Sequence, residues 1–482
     1  MKLPFRVVEL AYSPERRYLL SGSRDQTLCV WDLDQDRPLM SLFVAGNEWV
    51  AWTPRGYYAA SLAGEELMGW HVNNGLDAMA SFYPASQFRK TLYRPDVIKR
   101  LLQARSLEKA LAEADAARGE ASRPTEVAEV LPPKVAITTP ANAKLALSTD
   151  TLEVHAVATS FGAYPVTALR LLLDGRPVPK GLETFPNPRL GEARGSWTVA
   201  LPPGRHRLIV QANSEVSNGL SEPVDVARTC GGAEPARGTL YVLAIGINDY
   251  PDKLKLDCAA PDANYLRRAF LDDSWPLFRD VEAPLLLDGQ ATRAEIFKEV
   301  RRLSAVAKAG DVAVVFYAGH GVYAGQGDRK IIRQFYLVPV DVNLRDLRHS
   351  GISGEDLRKE IGDLPCTTVL ILDVCKADSI NNLLREMVYE SRVVIMCGAG
   401  KDQFAVEENG HGYFTRAIVE GMGGEAESNQ DGQVGLRELQ TYVHQRVLKL
   451  SEGKQEPTIL IPSIVGSFPL SQPKRAESHS TP

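Results

Sequence analysis

Apolar and polar positions alternate along this chain in three different rhythms. In the last half the apolar residues come in near-continuous runs, from Leu240 to Ile245, Val312 to Tyr317, Thr368 to Leu372 and Val393 to Met396. Such runs predict strands buried on both faces. Between them, at Pro261 to Leu271, Thr292 to Ala307, Gly354 to Ile361 and Tyr413 to Gly421, amphipathic stretches predict helices. Strand and helix therefore alternate, which points to an open, mostly parallel α/β sheet flanked by helices over residues 239–470. Reacting groups in such a sheet stand beyond the carboxyl ends of the strands.

The other two rhythms lie upstream. From Lys134 to Ala227 short alternating runs, such as Leu152 to Val157 and Arg205 to Ala212, are separated by turn signals. Residues 134–228 then read as an all-β sandwich, immunoglobulin-like in spacing but without that family's paired cysteines. Leu107, Ala110, Leu111 and Ala114 recur at helical spacing, so residues 84–133 are expected to be a helical connector and linker. The first 83 residues carry Leu19-Leu20-Ser21-Gly22-Ser23 followed by Val30-Trp31-Asp32, then a looser copy running from Trp49 to Gly69-Trp70-His71. These two segments resemble blades of a WD40 β-propeller. A ring needs at least about four blades, so further blades are expected upstream. Thr229 to Gly238 reads as a second linker, and residues 471–482 as a disordered tail.

Composition narrows the function. A 482-residue chain exceeds one hydrophobic core, which supports the multidomain division. Its 55 basic against 60 acidic residues provide no field for polyanions, so nucleic acid is not an expected partner. No stretch reaches the roughly 20 apolar residues of a membrane span, and Met1 to Leu10 lacks the features of a secretion signal. The expected location is cytoplasmic, with no membrane partner. Six dispersed cysteines without CxxC pairing predict free thiols rather than a disulfide framework.

Two strand exits carry candidate chemistry. After the strand expected to end at Phe316 comes Tyr317-Ala318-Gly319-His320-Gly321, and after the one ending at Leu372 comes Asp373-Val374-Cys375-Lys376. A cysteine attacks a carbonyl as thiolate and needs a base beside it, which histidine supplies near neutral pH. Cys375 is therefore the candidate nucleophile and His320 its base. Backbone N–H groups of Gly321 and Cys375 are the candidate oxyanion hole.

The same region resembles the caspase-like domain of bacterial and metacaspase-type peptidases. Six segments carry the resemblance in order: Ala244 to Tyr250, Cys258 to Ala263, Tyr317 to Gly321, Tyr336 to Asp341, Leu372 to Cys375 and His411 to Ala417. Gly56-Tyr57-Tyr58, Gly69 to Asn73 and Tyr93 to Asp96 are similar to segments ahead of such domains in bacterial proteins. His320 precedes Cys375 by 55 residues, close to the offset of about 50 in caspases. The resemblance implies a cysteine endopeptidase acting on a protein or peptide substrate without a required cofactor. It also implies that Asp262 and Asp373 line the primary pocket and select Arg or Lys, since buried carboxylates attract a guanidinium and repel acids. In the plainer alternative, Asp373 caps a loop and Asp262 starts a helix. Cleavage of the chain itself after Arg385 or Arg392 is a further expectation from the family's habit.

One departure stands out. Relatives usually continue after the cysteine with His-Ser-Gly, whereas this chain has Lys376-Ala377-Asp378. An inactive caspase-fold scaffold is accordingly the alternative function, and the WD40 and Ig-like regions are expected to bind partners or regulate in either case. Cys397 with His411 is a rival pair, although Cys397, Cys258 and Cys366 read as small core hydrophobes, and His411 as part of a loop shaping the cleft. His155, His206, His349 and His444 have no special setting. Finally Glu427, Asn429, Asp431 and Glu438, with Gly432 between, partly match a calcium-loop template. A polar turn ahead of a helix over Leu436 to Leu450 is the other reading.

Overall fold

The structure, a computed structural model, describes the chain outside residues 1–6, 35–37, 47, 62–63, 76–78, 120–124, 142–144, 148, 150, 202–203, 229–236, 251–253, 309, 325–333, 363, 375–386, 389–392, 400–406, 409, 463–464, 466–467 and 474–482. Near the N-terminus six strands, Val7–Tyr12, Tyr18–Ser23, Thr27–Asp32, Pro38–Ala45, Glu48–Trp52 and Tyr58–Ala60, pair in sequence order as one antiparallel sheet. The first repeat lies within this sheet, whereas the second starts in it at Glu48–Trp52 and ends at Gly69–Val72, which pairs with Ser81–Pro84 in a separate two-stranded sheet. Trp31 is buried, and its indole N–H donates to the Ser21 hydroxyl at 2.8 Å. Asp32 accepts both Nε and Nη2 of Arg105 at 2.7 Å, which ties the sheet to the helices that follow.

Those helices form where expected. Pro95 opens Pro95–Ala104 with its fixed φ, and the Ser106 hydroxyl accepts from Lys109 N at 3.3 Å to cap Leu107–Arg118. Val97, Leu101, Ala110 and Ala114 pack with Tyr57, Tyr58 and Leu92 in one core. The connector is thus part of the N-terminal unit rather than a bare link.

The central region is a sandwich of a larger sheet, which includes Ala168–Leu173 and Gly204–Asn213, and a three-stranded sheet of Glu192–Ala200, Thr151–Thr159 and Lys134–Thr139. Inward residues Val154, Ala156, Leu169, Leu171, Trp197, Leu208 and Val210 fill it. His206 Nδ1 lies 2.7 Å from Asp174 Oδ2, and His155 is half-buried.

The C-terminal unit is a seven-stranded sheet between two helical layers. Its strands are β1 (Thr239–Gly246), β2 (Asp280–Glu282), β3 (Leu285–Leu287), β4 (Val312–Ala318), β8 (Thr367–Asp373), β9 (Val394–Cys397) and β12 (Thr458–Leu460). The order is β2-β1-β4-β8-β9-β12 with β3 also beside β1, and only β12 runs antiparallel to its neighbour. Between β4 and β8, three short strands make a side sheet: β5 (Gly321–Ala324), β6 (Gln334–Leu337) and β7 (Ile352–Ser353). The hairpin β10 (Glu407–Glu408) and β11 (His411–Gly412) precedes the last helices.

Five helices matter: α1 (Ala259–Asp273), α2 (Arg293–Val306), α3 (Gly354–Gly362), α4 (Tyr413–Glu420) and α5 (Leu436–Leu450). Because strand side chains alternate, Leu243, Ile245, Val315 and Tyr317 face α2 and α3 with Phe297 and Leu357. Val242, Ala244, Val314 and Phe316 face α1, α4 and α5 with Leu266, Phe414 and Leu439. No helix among the described residues is long and apolar enough to cross a membrane.

Candidate active site

The register of β4 and β8 sets the geometry. The two strands are parallel neighbours, with Ala318 directly opposite Asp373. His320 follows Ala318 by two residues, and Cys375 follows Asp373 by two. Parallel neighbours lie about 4.8 Å apart, so both chains leave the sheet at the same level. Cys375 itself lies outside the described residues, as do Lys376, Arg385 and Arg392.

His320 is held on three sides. Its Nε2 lies 2.7 Å from the Leu254 carbonyl oxygen, an acceptor, so Nε2 carries the proton and donates it. That tautomer leaves a lone pair on Nδ1 for use as a base. The His320 backbone N–H donates to the Tyr250 hydroxyl at 3.1 Å, and the two rings lie 4.8 Å apart. Both Tyr250 and Tyr317 donate to the Val338 carbonyl at 2.8 Å. Burial pushes the Tyr250 hydroxyl up to about 12, and the Tyr317 hydroxyl also well above its usual value. Both are therefore fixed, neutral donors at ordinary pH.

Gly319 is a glycine for a steric reason: a Cβ there would sit 2.5 Å from the Tyr250 oxygen. The loop that delivers Leu254 is shaped by Asn248. Its side chain accepts from Ala260 N at 3.0 Å and donates to the Asp257 carbonyl at 3.0 Å, while its own N–H donates to Asp288 Oδ1 at 2.7 Å. Val338 N–H donates to the His320 carbonyl at 3.1 Å, which makes Gly321 and Leu337 a non-hydrogen-bonded pair of the ladder. In such a pair the N–H points away from the partner strand, so Gly321 N–H is directed out of the side sheet.

Asp262 and Asp373 converge. They are only 2% and 9% exposed. A Cβ built on Gly412 would lie 3.1 Å from Asp262 Oδ2 and 3.2 Å from Asp373 Oδ2. Asp262 Oδ2 accepts from Gly412 N at 3.0 Å, and its Oδ1 lies 2.6 Å from His411 Nδ1. Asp373 Oδ2 accepts from the Thr415 hydroxyl at 2.7 Å. Asp262 lies in the first turn of α1 but the N-cap position is Cys258, so its carboxylate is spent on His411 and Gly412 rather than on starting the helix.

His411 stacks on Tyr265, with centroids 4.5 Å apart and planes at 31°. Burial, and then the Arg416 guanidinium, hold its pKa below the ordinary histidine value. Cys397, the cysteine of the rival pair, is buried at the end of β9 in the core that faces α2 and α3, and Cys366 and Cys258 are buried too. His349 is bound to Asp346, and His444 lies 3.4 Å from the Pro457 carbonyl.

The candidate calcium loop is closed by its own hydrogen bonds. Glu438 Oε1 accepts from the N–H and hydroxyl of Ser428, and Oε2 from Gly435 N at 2.9 Å. Asn429 Oδ1 accepts from Asp431 N, and Asp431 Oδ1 from Gln433 N. Among the described residues no three His, Cys, Asp or Glu side chains are grouped to hold a metal.

The family model described as Caspase domain matches residues 239–468. Residues 239–468 are a caspase domain. Among solved structures, protein GSU0716 from Geobacter sulfurreducens shares 14% identity at a TM-score of 0.37, over 49% of this chain and 100% of that one. Caspase-1 from Spodoptera frugiperda shares 14% at a TM-score of 0.31, over 47% of this chain and 89% of its own. Likeness at that level adds nothing to the family match. Among curated proteins none matches this chain. The matched span begins at the first residue of β1 and covers every side chain of the caspase domain named above.

Three contributors have partners that the sequence does not reveal. Leu254 acts through its carbonyl, which leaves no side-chain signature. Tyr250 stands inside a family segment without an evident role, and His411 is separated from Asp262 by 149 residues.

Proposed function

We propose that the caspase domain is a cysteine endopeptidase that uses His320 and Cys375 and cuts after Arg or Lys. One observation carries this reading: the two residues follow directly opposed positions on adjacent parallel strands, with His320 held in the tautomer that frees Nδ1. In the first step Nδ1 takes the Cys375 thiol proton and the sulfur attacks the scissile carbonyl. The oxyanion is met by Gly321 and Cys375 N–H groups. The imidazolium then protonates the leaving amine, and water attacks the thioester with His320 again as base. Asp262 and Asp373, buried together, provide for a basic side chain and oppose an acidic one.

No cofactor enters these steps. The N-terminal sheet, read as WD40-like, and the sandwich, read as Ig-like, would bind partners or restrain the peptidase in the cytoplasm, with processing after Arg385 or Arg392. A fluorogenic Arg-ending peptide, an Asp-ending counterpart and a Cys375→Ala control test the proposal. The expected result is Cys375-dependent cleavage of the first alone; equal rates from wild type and Cys375→Ala overturn it. Lys376-Ala377-Asp378 after the cysteine favours a second reading, an inactive scaffold, and that is what the overturning result would mean.

A further inference from the structure

The carboxylate of Asp262 is almost wholly buried, whereas the His411 side chain bound to it is 33% exposed. The imidazole therefore stands between solvent and the acid. A guanidinium entering the pocket needs a carboxylate oxygen, but Oδ1 is held by His411 and Oδ2 by the Gly412 amide. The amide is part of the backbone and stays. The imidazole hangs on two side-chain torsions, rests on Tyr265 through one face and can turn aside.

We propose that His411 is a latch on the basic-side-chain pocket, seated on Asp262 Oδ1 in the free protein and displaced when a substrate guanidinium or ammonium takes that oxygen. This rests on the reading that Asp262 and Asp373 receive the basic residue. The exchange involves hydrogen bonds alone, and no covalent bond changes. Its selectivity follows from what is traded. The seated imidazole is neutral near pH 7, for the depressed pKa described above, and gives Asp262 one N–H. A guanidinium offers several N–H donors and a charge. A neutral side chain offers less than the imidazole it must displace, so the latch stays shut against it. A closed latch also lowers the apparent affinity for a basic ligand by the fraction of time it is shut.

Agmatine, a guanidinium with no scissile bond, tests the latch on the full chain whether or not the domain is active. His411→Ala should bind agmatine at least about threefold more tightly than wild type. His411→Asn, whose amide N–H can reach the same carboxylate oxygen, should restore wild-type affinity. Asp262→Asn should weaken binding at least about tenfold. In wild type, the His411 Nδ1–H resonance shifted by its carboxylate bond should vanish on saturation, a readout that needs no variant. Absent binding, or binding insensitive to Asp262→Asn, overturns the pocket reading and the latch with it. Binding that depends on Asp262 but is not strengthened by His411→Ala, or a resonance that persists at saturation, overturns the latch and leaves the pocket reading standing.

Discussion

Tyr250 supports His320 from below, its hydroxyl accepting the His320 backbone N–H at 3.1 Å while its ring lies 4.8 Å from the imidazole. The proposed base is thereby fixed by a phenol on the loop after β1 as well as by the Leu254 carbonyl.

Tyr250→Phe keeps the ring and removes the acceptor. Leaving a partly buried N–H without it should lower stability by about 1–3 kcal/mol. The looser imidazole should cut kcat by about tenfold or more, with KM for an Arg-ending peptide unchanged because Asp262 and Asp373 are untouched. Steady-state kinetics with a thermal melt checks both.

Gly412→Ala addresses the acids. Gly412 has φ −68°, which alanine accepts, so the backbone is not strained. The new methyl would press on both carboxylates at 3.1 and 3.2 Å. KM for an Arg-ending peptide should rise severalfold while the melting temperature falls only slightly, by about 1 kcal/mol in stability.

Acid should weaken the fold through His411. Its folded pKa lies below the ordinary value of 6.5, so on acidification the unfolded chain takes up this proton first. Stability from this group is whole above about pH 6.5 and is lost as pH falls through that value toward the folded pKa. Among the described side chains, the groups around the ring are Asp262 and Tyr265 on α1 and Arg416 on α4. Urea unfolding at about pH 7.5 and 5.5 should show a smaller loss in His411→Gln than in wild type; equal losses would count against the assignment.

Calcium should change little. Glu438 already binds three donors at the start of α5, and its carboxylate is held below the usual range by the Gly435 and Ser428 bonds, which outweigh burial. Glu438→Ala should destabilise by about 1 kcal/mol, the worth of a helix cap, to the same extent with and without added calcium in a melting experiment.

The parts of this fold that can be read from the residues are those in which burial acts on many positions together. Strands β1, β4, β8 and β9 are buried on both faces, so their apolar runs announce them, and α1, α2, α3 and α4 follow from spacing within a residue or two. His320 stands out because histidine flanked by glycines at a strand exit is a chemical signal in its own right. The side sheet of β5, β6 and β7 is short and keeps no long period. Leu254 contributes only a backbone oxygen, and the meeting of His411 with Asp262 depends on packing α1 against the segment before α4, which no local window contains. In the N-terminal unit the Trp31-Asp32 pair is conspicuous, but its tie to Arg105 depends on a helix 73 residues further on.

Asp262 and Asp373 belong to α1 and β8, and the amide and imidazole that bind Asp262 arrive only with β11. On the proposed function, selectivity would be assembled from both ends of the domain, whereas the proposed base and nucleophile follow two adjoining strands in its middle. On that proposal, a fragment ending before β9 would retain the reactive pair's framework and lose the means of choosing what it cuts, so discrimination among substrates would belong to the finished domain alone.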